Sequence, residues 1–326
     1  MHAIRQYEFG PAENLRYEEV PDPHPGPDQV RIAVAAAGVH LLDTALREGQ
    51  PGPFGVAELP MTPGREVAGV VDELGEGVDA DWLGKRVVAH LGAASGGYAE
   101  LAIANAAALH ALPDSLADDQ AVAMIGTGRT ALGVLDNAEL TADDVVLVTA
   151  AAGGIGNLLV QAARNIGATV VGVAGGAEKV ARVRELGATH AVDYTRADWP
   201  DQVRAALGER SVTAVLDGVG GAAGRQALEL LGIGGRLILF GWSAGKGAEL
   251  TVDDLFARYL TVKVALGPNI LNRPGGLRAL EERSIAEAAA GRLVPLVGEP
   301  FPLAQAAQAH HAVVGRGTIG KTVLKP

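Results

Sequence analysis

Between about residue 116 and residue 266 the chain switches repeatedly between two hydrophobic periods. Short apolar runs rich in valine fall at Val145 to Thr149, Thr169 to Val173, Ala191 to Asp193, Ala214 to Asp217, Arg236 to Phe240 and Leu260 to Val264. Between them lie stretches whose apolar positions recur every three or four residues, the spacing of one helix face. Runs that stay apolar at successive positions belong to strands buried on both faces, and the helical stretches supply the cover. The pattern therefore predicts an α/β fold with a doubly wound parallel sheet of six strands. Earlier in the chain the pattern changes. Short β-type runs at Met1 to Glu8 and Val30 to Ala36 are joined by the turn-rich P-D-P-H-P-G-P at 21 to 27, and L-P-M-T-P-G-R-E-V-A-G-V-V-D-E-L-G at 59 to 75 predicts turn, strand, turn. Arg86 to Ala89 adds a strand and Gly96 to Glu100 opens another, which together predict an antiparallel β-rich domain. A short helix after Gly38 interrupts it and carries His40, Asp43 and Arg47. The tail returns to helical spacing at 276 to 291 and 303 to 315 and ends on a strand, Thr318 to Leu324. A six-strand unit has no place for that tail, so it is assigned to the first domain.

Within the sheet pattern, V-V-L-V-T-A-A-A-G-G-I-G at 145 to 156 changes from strand period to helix period across a run of small residues. Strand, tight turn and helix are expected. Backbone N–H groups at a helix start lack intrahelical acceptors and the helix dipole favours an anion there, so the turn suits a nucleotide pyrophosphate. In the G-x-G-x-x-G fingerprint the first glycine makes the tight turn, the second admits the phosphates and the third lets helix and strand pack closely. Here Ala151, Gly153 and Gly156 take those places. An A-x-G-x-x-G triplet says little by itself, but the flanking strand and helix supply the context it requires.

Composition narrows the function. A formal net charge of −11 disfavours nucleic acid or an anionic membrane as a general partner. The chain has no cysteine, which removes disulfides, thiolate nucleophiles and every cysteine-ligated metal site. The opening M-H-A-I-R-Q-Y has no signal-peptide core, and no apolar run reaches the roughly 20 residues a membrane span needs. A cytoplasmic protein is expected.

Several motifs stand out along the chain: A-A-G-V-H-L-L-D-T…R-E-G at 36 to 49, P-G-R-E-V-A-G-V-V at 63 to 71, G-G-Y-A-E at 96 to 100 and G-T-G-R-T-A at 126 to 131. The later half adds the A-A-G-G-I-G turn, V-L-D-G-V-G-G at 215 to 221, G-G-R-L-I-L-F-G at 234 to 241 and G-T-I-G-K-T-V-L at 317 to 324. Together they resemble the zinc-free medium-chain dehydrogenases/reductases, in their quinone oxidoreductase or zeta-crystallin-like branch. The resemblance implies a GroES-like catalytic domain over 1–122 and 267–326 and a Rossmann NADP-binding domain over 123–266. Zinc members of the superfamily would carry a ligand cysteine at His40, a histidine at Arg65 and a four-cysteine lobe between Leu91 and Gly97. All are missing, and Glu66 alone does not supply the three protein ligands of a catalytic zinc. No metal is expected.

An NAD-selective turn is followed, about 20 residues on, by an acidic residue for the ribose hydroxyls. This chain offers A-G-G-A-E-K after Thr169 to Val173, which leaves room for a 2′-phosphate, and NADPH is the expected cofactor. By resemblance Lys179 and Tyr194 contact that phosphate, with Glu178 as a counter-signal. The resemblance also puts Ala152, Gly153, Gly154, Ile155, Gly175, Thr130, Val219, Phe240, Gly241, Trp242, Ser243, Arg316 and Lys321 at the cofactor. Gly218 stands where relatives often have serine.

With neither thiolate nor metal, the expected chemistry is hydride transfer to an electron-poor acceptor, a quinone or an α,β-unsaturated carbonyl, whose delocalised product anion needs less help than an alkoxide. The acceptor is a small molecule. His40 stands where relatives commonly have asparagine, and Ala45 where they have tyrosine, so His40 is the candidate donor on the acceptor side. Asp43 and Arg47 are expected to brace the helix as an ion pair, Glu66 and Glu100 to be structural, and His310 and His311 to have no role. A homodimer joined through Leu260 to Val264 is expected from the resemblance. Two other readings stand beside this one: an enoyl thioester or alkenal reductase on the same scaffold, and an NADPH-binding protein without turnover.

Overall fold

The structure is a computed structural model that describes every residue except Pro53 and Phe54. Contacts divide the chain into Met1–Gly126 with Pro295–Pro326, and Thr127–Val294.

The second unit holds a parallel sheet of six strands. Along the sheet they run His190–Asp193, Thr169–Ala174, Val145–Val148, Val212–Asp217, Leu231–Leu239 and Thr261–Val264. Every neighbouring pair is parallel, and the central pairings set Val148 against both Gly172 and Leu216. This is the doubly wound order in which the chain starts in the middle and reverses direction once, so the carboxyl ends flanking Val145–Val148 form the crevice where such sheets take ligands. Leu147, Val171, Val215 and Leu237 are fully buried and lie in one core with Trp199 and Leu228.

The fifth strand begins five residues before the predicted Arg236. L-G-I-G-G has too few apolar side chains to show a strand period, yet it extends the pairing across an irregularity between Val212 and Ala214. A larger correction concerns the helix Gly276–Ala289, which the tail assignment put in the first domain. It packs in the second unit against the helix Arg129–Ala138, burying Leu280, Ser284 and Ile285, and its Glu281 is paired with Arg129. The domain boundary therefore falls at Pro295 rather than at residue 267. Periodicity showed that the helix exists, but not which apolar surface receives its face.

The first unit is β-rich. Phe301–Pro302, Thr322–Lys325, Gln29–Val39, Glu66–Leu74, Arg86–His90 and Leu109–Ala111 pair in that order, and Leu101–Asn105 also pairs with Gln29–Val39. Two register shifts bend the long strand Gln29–Val39, which pairs with three different partners along its length. The predicted strand at Gly96–Glu100 forms a few residues later, at Leu101–Asn105, and the last strand is confined to Thr322–Lys325. Ile32, Val67, Val87 and Leu109 fill the core of this sheet. No helix among the described residues is long and apolar enough to cross a membrane.

Candidate active site

The strand Val145–Val148 ends in a turn whose geometry follows from its small residues. Gly153 N–H donates to Ala150 O at 2.8 Å, Ala151 N–H donates to Val173 O at 3.0 Å, and the helix Gly154–Ile166 begins at once. The backbone with positive φ is Ala150 at 48°, not Ala151, so the tight-turn role assigned to Ala151 falls one residue earlier. Ala151 is instead fully buried against the sheet. Gly156 is fixed by close approach, since a Cβ there would stand 2.2 Å from Ala150 O. Among the described residues no side chain caps this helix start. The Asn157 amide turns the other way and donates to the carbonyls of Gly153 and Gly154, leaving the N–H groups of the first turn for an anion. A nucleotide pyrophosphate fits this cradle.

The neighbouring strand ends bring other predicted cofactor residues to the same edge. Gly175 and Lys179 follow Thr169–Ala174, and Tyr194 follows His190–Asp193; the Tyr194 ring is 3.9 Å from where a Gly175 Cβ would be. Lys179 and Tyr194 are half-buried and Glu178 is exposed. The Asp193 carboxylate accepts from Gly176 N–H, the Thr195 hydroxyl and Thr195 N–H, and these bonds hold its carboxyl below the ordinary range. On the other side the buried Asp217 accepts from Thr149 Oγ1 at 2.7 Å and from the N–H groups of Val219 and Gly220. Phe240 N–H then donates to Asp217 O, and Ser243 N–H to Gly218 O, which ties Phe240 to Ser243 against the Val219 loop. Val219 and Phe240 are buried, while Trp242 is 61% exposed. Thr130 lies in the first turn of Arg129–Ala138 in this unit. Arg316 and Lys321 belong to the first unit.

There Lys321 has an environment that the sequence reading did not foresee. Its ammonium is 2.7 Å from Glu66 Oε2 and 2.8 Å from His40 Nε2, and His40 Nε2 is itself 2.6 Å from Glu66 Oε2. Three segments supply the three groups: His40 begins the helix Leu41–Arg47, Glu66 begins the strand Glu66–Leu74, and Lys321 precedes the strand Thr322–Lys325. Glu66 is wholly buried, and its Oε1 has no hydrogen-bond partner among the described residues. Two glycines make room for the carboxylate, because a Cβ on Gly126 would stand 1.7 Å from Oε1 and one on Gly38 2.4 Å from Oε2. Burial by itself would raise the Glu66 carboxyl, but His40 and the Lys321 ammonium against it outweigh that and hold the group far below the usual carboxylate range.

Behind His40 lies a second buried polar set. Asp43 Oδ2 accepts from His40 N–H at 2.8 Å and from the Tyr98 hydroxyl at 3.1 Å, and Tyr98 also meets His310 Nε2 at 3.2 Å. The expected Asp43–Arg47 ion pair does not form. Arg47 instead donates to Gly10 O, pairs with Glu48 and approaches His310 Nδ1. Burial, with a smaller contribution from Arg47, lowers the pKa of His310 to about 4 against the pull of Asp43, so it is neutral at physiological pH. His311 does lie outside this set, paired with Glu13 at the surface.

Two family profiles match the chain, the Alcohol dehydrogenase GroES-like domain over residues 26–114 and the Zinc-binding dehydrogenase over residues 154–282. A 2-haloacrylate reductase of a Burkholderia species is 35% identical across 100% of this chain and 99% of its own. The chain belongs to the medium-chain dehydrogenases/reductases. Within them it falls in the quinone oxidoreductase branch: the quinone oxidoreductase of Sus scrofa is 34% identical over 99% of this chain and 97% of that one. The mycobacterial protein Rv1454c, solved in complex with NADPH, superposes with a TM-score of 0.87 at 32% identity over the whole of both chains. As a medium-chain dehydrogenase/reductase the protein is an NAD(P)-dependent oxidoreductase. Among the described residues no group of three or more His, Cys, Asp or Glu side chains stands ready to hold a metal ion. The sequence reading took Glu66 as structural, gave His310 no role and assigned nothing to Tyr98. The one available signal was a glutamate entering the apolar run V-A-G-V-V, since a carboxylate there must be buried and so must find a cation.

Proposed function

We propose that this medium-chain dehydrogenase/reductase is a zinc-independent reductase that uses NADPH to reduce quinones or related electron-poor α,β-unsaturated carbonyls. The observation that carries the reading is the ammonium of Lys321 seated on Glu66 and His40. Where zinc members of the family are expected to place metal ligands, this chain has an internal cation, and a carboxylate and an imidazole nitrogen are already engaged by it. When bound, NADPH supplies a hydride. The uncapped turn at Gly153 to Ile155 holds its pyrophosphate, Lys179 and Tyr194 take the 2′-phosphate, and Val219 with Phe240 to Ser243 shape the nicotinamide side. His40, 27% exposed in its side chain, donates to the developing oxyanion of the acceptor. Tyr259 and Val264, both more than half exposed, lie just before and on the edge strand Thr261–Val264 and support a homodimer.

The test follows NADPH oxidation by metal-free enzyme with simple quinones, short enones, an enoyl-CoA and a 2-haloacrylate, and the reverse reaction with a primary alcohol and NADP⁺. Turnover with quinones or enones, unchanged by a chelator, is expected; turnover with the alcohol alone overturns the proposal. A second reading, reduction of an unsaturated acid, is favoured by one observation. A cavity of about 350 Å³ in the first unit is lined by Arg47 and Arg65 together with Asp43, Glu58 and Ser95. Preference for the 2-haloacrylate over every neutral acceptor would decide for it.

A further inference from the structure

With Lys321 as an ammonium, the three contacts among Lys321, Glu66 and His40 do not all fit one placement of protons. An ammonium has hydrogens to give and no lone pair, so Lys321 Nζ at 2.8 Å from His40 Nε2 is a hydrogen bond only where Nε2 is bare. A neutral imidazole with a bare Nε2 carries its proton on Nδ1. The 2.6 Å contact between Nε2 and Glu66 Oε2 asks for the opposite, an Nε2–H donating to the carboxylate, with Nδ1 bare. The two arrangements interconvert when one proton moves from Nζ to Nε2, over the 2.8 Å that separates those atoms, and the Nδ1 proton leaves. They are the states of an imidazole before and after it delivers a proton through Nδ1.

Resting on the reading that His40 faces the acceptor, we infer that Lys321 is a positioning residue for proton delivery. It holds His40 as the Nδ1–H tautomer and refills the ring through Nε2 when Nδ1 is emptied. After the hydride has arrived, the acceptor carries the electron pair and one negative charge. The Nδ1–H bond of His40 breaks and its proton goes to that anion, while Nζ passes a proton to Nε2. The cluster is left with a neutral amine, and the new Nε2–H donates to the Glu66 carboxylate. One proton from water, taken up at Nδ1, reverses the shift and restores the ammonium. Exposure sets this route: the side chains of Lys321 and Glu66 are 4% and 0% exposed, and that of His40 is 27%, so protons enter and leave the cluster by the imidazole. The other charged or titratable groups around it are Asp43, held on His40 N–H, His90, paired with Glu66 on the neighbouring strand, and Arg65 beside Glu66 in the chain.

Nitrogen NMR of histidine-labelled protein without cofactor tests the tautomer directly, with the His40 signals identified by their loss in His40→Gln. The native protein is expected to show Nδ1–H at neutral pH and Lys321→Met to show Nε2–H; an Nε2–H tautomer in the native protein, or no change in the variant, overturns the inference. Should Lys321→Met fail to fold, Glu66→Gln with Lys321→Met removes both buried charges together and carries the same expectation. With a working acceptor, Lys321→Met should lower kcat by about 100-fold, within the range of general acid catalysis, with both KM values within about two-fold, because a loss confined to the transition state leaves binding untouched. In Lys321→Ala, small primary amines should restore turnover in order of their acidity. A tautomer that follows Lys321 while kcat does not would overturn the relay and leave the proposed reductase standing; a protein that reduces no quinone or enone would sink the reductase reading while the NMR still reports on the tautomer.

Discussion

The glycine-rich turn of the second unit and the charged cluster of the first both make a place for charge inside a folded protein, by opposite means. The turn does it with backbone alone. Its N–H groups are aimed by one strand and one helix adjacent in sequence, so what matters is that side chains stay out of the way, as at Gly156. The cluster does it with side chains drawn from residues 40, 66 and 321, and each of its two buried charges, on Glu66 and Lys321, is tolerable only while the other is present. A site made of local backbone survives changes in side-chain chemistry but not the addition of a methyl group. A site made of distant side chains behaves in the reverse way.

The largest effect should come from splitting the buried pair. Glu66→Leu leaves Lys321 with a buried charge that lacks its carboxylate and should lower unfolding stability in urea by about 3–5 kcal/mol, whereas Glu66→Leu with Lys321→Met should recover most of it. Equal losses in the single and double variants would show that the cluster is not held by its charges. Next comes His310, whose folded pKa of about 4 lies below its ordinary value of 6.5. The unfolded chain then binds the proton first, so stability should fall as pH drops from 6.5 to 4, by about 3 kcal/mol in all. Urea midpoints across that window for native protein and for His310→Phe, in which the slope should flatten, check it. In the turn, Gly156→Ala puts a Cβ 2.2 Å from Ala150 O, and overpacking of this kind should cost about 1–3 kcal/mol and weaken NADPH binding in calorimetry. The smallest effect is that of Lys179→Ala. It should raise the NADPH dissociation constant about ten-fold, as expected for loss of one charge-assisted contact, and leave that of NADH unchanged.

The same contrast explains what could be read from the chain. The six strands and the Gly153 turn were legible because period and spacing are local, and each strand start or end fell within a few residues of its predicted place apart from Leu231–Leu239, whose glycines hide the period. Helix Gly276–Ala289 was legible as a helix, but its unit was not, because that depends on a surface contributed by residues 129–138. Lys321 was noticed for its motif and given a different neighbour, and Asp43 and Arg47, four residues apart on one helix, looked like partners. The fold instead offers each of them a better one, Tyr98 for the acid and Gly10 O with Glu48 for the base. Helical spacing shows which residues share a face, but not what that face is pressed against.

The ion pair between Glu66 and Lys321 spans 255 positions of the chain. During synthesis the carboxylate leaves the ribosome long before its cation, and the strand Thr322–Lys325 that carries Lys321 into place must pair with Gln29–Val39 from the other end of the first unit. The second unit, uninterrupted from Thr127 to Val294, is complete by then. The nascent protein thus has its nucleotide fold in hand first, and the charged cluster closes only once Lys321 has followed it out.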